Sequence, residues 1–270
     1  MRKSGVDPFL LLCLFITLLV FALIGGNISI ILLDGLRTLP QHLSDAENQF
    51  ALMLSVRCAS ISTAFCFLLA VPTAYMLTRE QLPCRRVVEV ILELTMSLPY
   101  IVLGLSLLIL FSSPLGKELK AAGLPVVFDT NGIIMAQLVV NLPFAIKLCV
   151  MALQRVDHKM ELVAGLLGAS PWQRFRTILL PLCRNALIGS LVLIWSRALG
   201  EFGATLMLVG VTRMKTETLP GNIYLNVSSN DLDSAMASAF VLLLLSGLSL
   251  AASNLLTGRE GMRRRYAAGG

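Results

Sequence analysis

Arg197 and Glu201 stand four residues apart in the run Trp195-Ser196-Arg197-Ala198-Leu199-Gly200-Glu201-Phe202-Gly203-Ala204-Thr205, inside an otherwise apolar stretch. On a continuous helix this spacing puts opposite charges on one face. Each charge would cost about 2.5–3.5 kcal/mol at mid-bilayer on an insertion scale, so both should face protein or water rather than lipid. Two roles fit. The residues line or gate a translocation path, or they form a buried ion pair holding two helices or two subunits together. The ion pair is preferred, because two buried charges demand mutual satisfaction whatever passes beside them. Ser196, Gly200 and Ala204 form an adjoining stripe of small residues that permits close helix packing.

Other chemistry is not indicated. Gly116-Lys117 is followed by Glu118, and no glycine stands five residues ahead of Gly116, so this is not a phosphate-cradling loop. Any ATP-driven process would have to draw on a partner. His42 and His158 fall in connections at opposite membrane faces, which speaks against a histidine metal cluster and against an intramembrane Ser/His dyad. The 6 cysteines are scattered in or beside apolar runs with no CxxC, suggesting neither a disulfide frame nor a zinc site. No catalytic residue, metal or cofactor is expected.

The elements that carry these residues are membrane helices. The 270-residue chain is 56% hydrophobic and 14% charged, with a mean hydropathy of +0.79, far more apolar than a soluble domain. About six stretches are long enough to cross a bilayer, near residues 9–33, 50–77, 90–111, 132–153, 186–210 and 235–257. The first lacks a small-residue cleavage site and is expected to stay as a signal anchor and to face lipid. An even number of spans puts both termini on one side. With a cytoplasmic N-terminus, Arg2, Lys3, Arg79, Arg85, Arg86, Arg155, Lys159, Arg174, Arg176, Arg184 and the arginines of the tail lie inside. Arg37, Lys117, Lys120, Arg213 and Lys215 lie outside, as the positive-inside rule requires. The net charge of +6 is thereby explained by topology, and nucleic-acid binding is not expected.

Three prolines within spans are expected to kink their helices: Pro72 in Val71-Pro72-Thr73-Ala74-Tyr75, Pro99 in Ser97-Leu98-Pro99-Tyr100, and Pro143 in Asn141-Leu142-Pro143-Phe144. Arg57 is expected to snorkel to the interface. The outer loop at 112–131 is too small for a domain. The outer loop at 211–234 is either an ordinary solvated loop or a landing surface for another protein. The tail, with Arg263-Arg264-Arg265, is expected to sit at the anionic inner leaflet.

The most amphipathic stretch lies in the inner connection at 154–185. Leu162, Val163, Leu166 and Leu167 recur at helical spacing from Glu161, Gly168 suits the left-handed residue after a helix end, and Ser170-Pro171 reads as an N-cap followed by proline at the first helical position. Two short helices joined by a bend are therefore expected. Ala164, Gly165, Gly168 and Ala169 keep that bend slim enough to enter a groove on another protein.

This segment resembles the Glu-Ala-Ala loop of ABC-importer permeases. Gly168, Ala169, Ser170, Phe175, Ile178, Leu180 and Pro181 match the later part of the family's pattern, whereas its usual glutamate falls on Leu162, leaving Glu161 one place early. The proline sites resemble the family's helix-breaking places. The run Arg197 to Thr205 and Lys215-Thr216-Glu217-Thr218-Leu219-Pro220 is most similar to molybdate permeases, with sulfate and tungstate permeases close behind. The resemblance implies an all-α integral membrane protein of type I importer fold in a prokaryotic cytoplasmic membrane. It also implies a coupling loop in which Glu161, Ala164, Gly168, Ala169, Ser170, Pro171 and Pro181 serve docking to a cytoplasmic ABC ATPase. A permease homodimer and an extracytoplasmic substrate-binding protein complete the implied assembly. The chain divides into a first helix and outer loop at 1–48, a permease core at 49–257, and a basic tail at 258–270. A permease of this family for another small solute and an ATP-independent secondary transporter are the alternatives; an intramembrane enzyme is disfavoured by the histidine positions.

Overall fold

The computed structural model describes residues 8–42, 44–79 and 85–267. Arg2, Lys3 and Cys84 lie outside these residues, and so do the side chains of Arg263-Arg264-Arg265. The regular elements described are helices: α1 (Pro8–His42), α2 (Ala46–Arg79), α3 (Arg85–Ser97), α4 (Tyr100–Ser112), α5 (Pro114–Ala121), α6 (Thr130–Gln154), α7 (His158–Leu166), α8 (Pro171–Arg174), α9 (Leu180–Leu199), α10 (Gly203–Val209), α11 (Leu219–Ser228) and α12 (Leu232–Ala267). Five segments are individually long and apolar enough to span a membrane, and α3 with α4 makes a sixth if the bent pair is counted as one.

Two of the expected spans are broken. The third bends by 108° between α3 and α4. Pro99 disfavours helical backbone at Leu98 and itself takes φ −57°, ψ 134°, so the helix stops and restarts. The fifth stops at Leu199 and restarts at Gly203, after Gly200-Glu201-Phe202. It also begins earlier than hydropathy suggested, because the segment from Pro171 to Leu199 is nearly continuous through a π-turn at Phe175–Leu179. By contrast, α2 and α6 run uninterrupted through Pro72 and Pro143, held by their packing against each other.

The core is a ladder of neighbours: α2 lies along α6, α6 along α9, α9 along α12, and α12 along α1. Lipid removes most of the hydrophobic incentive to pair, so close approach through small residues matters instead. Ala70, Ala74, Ala145, Ala152, Cys66, Cys149 and Cys183 supply it toward the α7 end of the bundle. Cys58 and Ala136 do so toward the α11 end. These cysteines are buried and form no disulfide among the described residues. As expected of a lipid-facing element, α1 is exposed along most of its length and seats against α12 at Gly35, where an added Cβ would come within 2.4 Å of Phe240 Cβ.

α4 and α10 approach most closely at Gly104, where a Cβ would fall 2.6 Å from the Ala204 carbonyl oxygen and 2.7 Å from its Cα. Backbone atoms cannot yield as a flexible side chain does. Gly104→Val is therefore expected to destabilise the chain by about 1–3 kcal/mol through overpacking. Thermal unfolding of the purified protein in detergent checks this; an unchanged midpoint would mean that α4 and α10 are free to part.

Candidate functional site

The two helix breaks meet. Gly203 opens α10 beside Tyr100, with a hypothetical Cβ only 3.2 Å from Tyr100 Cβ. Glu201 spends its carboxylate on the restart: Oε1 accepts from Ala204 N at 2.8 Å, and Oε2 accepts from Thr205 N at 3.2 Å and from the Thr205 hydroxyl. Those N–H groups would otherwise be orphaned at a buried helix start. Arg197 sits in the last turn of α9, where the carbonyl ends favour a cation. Its guanidinium lies 4.8 Å from the Phe144 ring centre and 5.6 Å from that of Tyr100, and Nη2 donates to the Tyr100 hydroxyl. Arg197 and Glu201 therefore do not form the ion pair that a continuous helix would give. The break at Gly200 turns them to different partners.

The neighbourhood is a buried polar node. Gln137 Nε2 donates to the Ala198 carbonyl at 3.0 Å, which also accepts from Glu201 N at 3.2 Å, while its Oε1 accepts from the Ser62 hydroxyl at 2.8 Å. One side chain of α6 thus ties α2 to the break. Asn141, one turn on, donates to the Gln137 carbonyl at 2.9 Å and leaves Oδ1 buried without a donor. The stripe of Ser196, Gly200 and Ala204 is not one continuous face: Ala204 packs on α4 and Gly200 is exposed at the break. Lys147 reaches Glu93 of α3 at 3.2 Å with both side chains accessible, and Arg57 is exposed.

At the opposite end of the bundle, the α7–α8 segment has the expected bend. Gly168 takes φ +91°, its N–H donates to the Gly165 carbonyl at 3.0 Å, and Ala169 N donates to the Ala164 carbonyl at 3.0 Å, the double closure of a glycine helix end. Ser170 and Gln173 form a reciprocal capping box, with Ser170 N donating to Gln173 Oε1 at 2.7 Å and Gln173 N to the Ser170 hydroxyl at 3.3 Å. Pro171 opens α8. Pro181 comes one residue after the π-turn, whose wider loop relieves the clash that its ring would make with the preceding turn.

α7 turns its acid inward and its leucines outward. Glu161 is 1% exposed, and Ala164 and Gly165 share its side, whereas Leu166 is 89% and Leu167 84% exposed, with Leu162, Val163 and Trp172 also open. The acid is turned inward because Arg79, at the end of α2, waits for it: Arg79 Nε lies 2.8 Å from Glu161 Oε1, with the N–H off line, so the contact is Coulombic rather than a directed hydrogen bond. Arg79 also donates to the carbonyls of Leu153 (2.8 Å) and Val156 (3.0 Å) at the end of α6. One guanidinium therefore joins α2, α6 and α7. His158, exposed, approaches Glu161 to 4.0 Å.

Sequence reasoning missed a third cluster. The loop at 211–218 and α11 enclose Glu217, which is 0% exposed. Its carboxylate accepts from Met214 N (3.0 Å) and Asn222 Nδ2 (3.0 Å), and Arg213 bridges to Glu47 of α2 and to Asn226 Oδ1 at 3.1 Å. Asn222 Oδ1 in turn accepts from Asn226 (2.9 Å) and from Ser238 of α12 (2.6 Å). Met214 and Asn222 lie within five residues of Glu217, but what buries the group, Glu47 of α2 and Ser238 of α12, comes from other elements, so the charges of this stretch looked like a solvated loop. The cluster touches the helix break, because Tyr224 of α11 lies 5.4 Å from Phe202, ring to ring.

A helical bundle with facing broken spans in its interior and a capped, apolar-tipped bend at one end is the architecture of a multi-pass membrane permease. Residues 67–257 match the family described as binding-protein-dependent transport system inner membrane component, and the chain belongs to that family of ABC-importer permease subunits. It is 36% identical over 204 residues to the molybdenum transport system permease protein ModB of Mycobacterium tuberculosis, covering 75% of this chain and 77% of that one. It is 30% identical over 227 residues to the sulfate transport system permease protein CysW of Escherichia coli, covering 83% and 78%. Among solved structures, a bacterial ABC transporter that imports the acidic polysaccharide alginate superposes with a TM-score of 0.67 at 19% identity, covering 92% of this chain and 96% of that one. The inward-facing MetNI methionine transporter gives 0.60 at 17%, covering 77% and 94%. The fold is that of type I importer permeases.

Proposed function

We propose that this chain is the membrane-spanning subunit of an ATP-driven importer, that it carries an oxyanion, molybdate foremost, with tungstate and sulfate as alternatives, and that an extracytoplasmic binding protein delivers the cargo. The observation that carries the ATP-driven part is the outward face of α7: Leu162, Val163, Leu166 and Leu167 open to solvent on a bend fixed at both ends and tied to α2 through Arg79 and Glu161. Exposed leucines on a fixed bend fit a groove on a partner, and a cytoplasmic ABC ATPase is that partner. Its movement on binding ATP passes through α7 to α2 and α6 and through the π-turn into α9. Binding can bias the two states only by favouring one of them. The oxyanion part is supported by the molybdenum and sulfate permeases, at 36% and 30% identity over most of the chain. The chain works as a homodimer in the cytoplasmic membrane, with α7 and both termini on the cytoplasmic side. ATP hydrolysis belongs to the partner.

Uptake of labelled molybdate, tungstate and sulfate by cells with and without this chain, repeated with the partner ATPase disabled, tests this. Uptake requiring both is expected; uptake that survives loss of the ATPase would replace the proposal with a secondary carrier.

A narrower test concerns the bend. At Gly168 a Cβ would meet nothing within 4 Å in this chain, so the obstacle to substitution is the left-handed backbone, about 1–2 kcal/mol, and any crowding falls on the partner. Gly168→Leu is expected to insert normally and to lose co-purification with the ATPase. Undiminished co-purification would remove α7–α8 from the docking surface.

A further inference from the structure

We propose that the Arg197 guanidinium and the Tyr100 hydroxyl together form the station at which the permeating oxyanion is held inside the membrane; this rests on the oxyanion function proposed above. Among the described residues no carboxylate pairs with Arg197, whereas Arg79, Arg85, Lys147 and Arg213 each have one. The nearest acid in sequence, Glu201, is already engaged by the start of α10. Arg197 is therefore a cation in the body of a membrane protein whose counter-charge is missing.

Its surroundings hold it in place without neutralising it. The Phe144 ring attracts the guanidinium as a cation but accepts few of its N–H donors, and Tyr100 meets it from its hydroxyl end. Nε is buried with no acceptor. The Tyr100 hydroxyl accepts from Nη2, which leaves its own proton free to donate. Arg197 is half-buried rather than enclosed, and Gly200, one turn on, is exposed. A planar fork of donors with an adjacent hydroxyl matches the edge of a tetrahedral oxyanion, which offers two oxygens to the fork and one to the hydroxyl. A neutral solute would find no use for the unpaired charge.

The location suits a station rather than a trap. Arg197 lies where the two broken spans meet, and Phe202 and Tyr224 link that place to the loop end while α9 links it to the α8 end. A shift of α9 against α4 would separate Arg197 from Tyr100 and dismantle the site, so affinity is expected to differ between the two states, as transport requires.

The test uses the reconstituted transporter with its ATPase and saturating, loaded binding protein, comparing wild type with Arg197→Lys and Tyr100→Phe. Lysine keeps the charge at the end of α9 but loses the fork; phenylalanine keeps the ring but loses the hydroxyl. Maximal uptake is expected to fall about tenfold or more in each, the worth of one charge-assisted hydrogen bond in rate. Assembly with the ATPase and capture of the loaded binding protein are expected to stay near wild type. Wild-type uptake in both variants overturns the station, and so does a fall in uptake that only tracks lost assembly in both. A wild-type transporter that carries none of the three oxyanions overturns the proposed function along with it.

Discussion

Glu161→Leu is expected to lower the stability of the folded chain by about 3 kcal/mol, near the lower end for breaking a buried ion pair. The lower end applies because Arg79, left behind, still has the carbonyls of Leu153 and Val156 as acceptors. Arg79→Met should cost at least as much: it strands the Glu161 carboxylate, for which the remaining neighbour is His158 at 4.0 Å, and it takes the side-chain donor from the Val156 carbonyl and one of several donors from that of Leu153. The double variant should be less harmful than the sum of the singles by about 2 kcal/mol, since neither charge is then stranded. Thermal unfolding of the four proteins in detergent measures this cycle. Functionally, both singles should release α7 from α2, so that the ATPase still binds the exposed leucines but hydrolysis no longer drives uptake. Strict additivity of the two substitutions would show that the contact carries no energy and that Glu161 is free to serve the partner instead.

That pair shows where the sequence was legible and where it was not. The bend itself could be read residue by residue, because a left-handed glycine, an N-cap serine and a first-turn proline act over four or five residues of backbone. The orientation of α7 could not. Its leucines and its acid define two faces at helical spacing, but the usual inference buries the leucines, and only the position of Arg79, about eighty residues earlier, reverses it. The same limit explains Arg197 and Glu201. Apolar runs flank Gly200-Glu201-Phe202-Gly203 on both sides, so a continuous helix and an ion pair followed from the pattern. The signal for a break was local all the same: two glycines bracket an acid placed three and four residues before Ala204 and Thr205, the spacing of a carboxylate that caps a helix start. Pro99 breaks its span while Pro72 and Pro143 do not. The difference lies in the partners: α2 and α6 pack along each other through both prolines, while Leu98-Pro99 stands at the corner where α4 turns to lie on α10.

Glu217→Ala is expected to have the second large effect, and it separates a positioning role from a solvated loop. The carboxylate is the buried acceptor that gathers Met214 N and Asn222 Nδ2. Its removal leaves both donors unsatisfied and frees Met214 from its left-handed backbone, φ 57°. Losing a buried charged acceptor of two hydrogen bonds should cost about 3 kcal/mol. Glu217→Gln should cost roughly half as much, because an amide can still accept from one donor but presents its own N–H₂ to the other. The loss is not confined to the loop. Asn222 also holds Asn226 and Ser238, and α11 carries Tyr224 against Phe202, so slackening reaches the broken fifth span. Faster amide exchange across residues 212–228 is therefore expected in both variants. With it, ATP hydrolysis stimulated by the binding protein should be lost while hydrolysis by the ATPase–permease complex alone persists. Retained stimulation together with faster exchange would confine Glu217 to local folding and place the route from the outer surface to the helix break elsewhere.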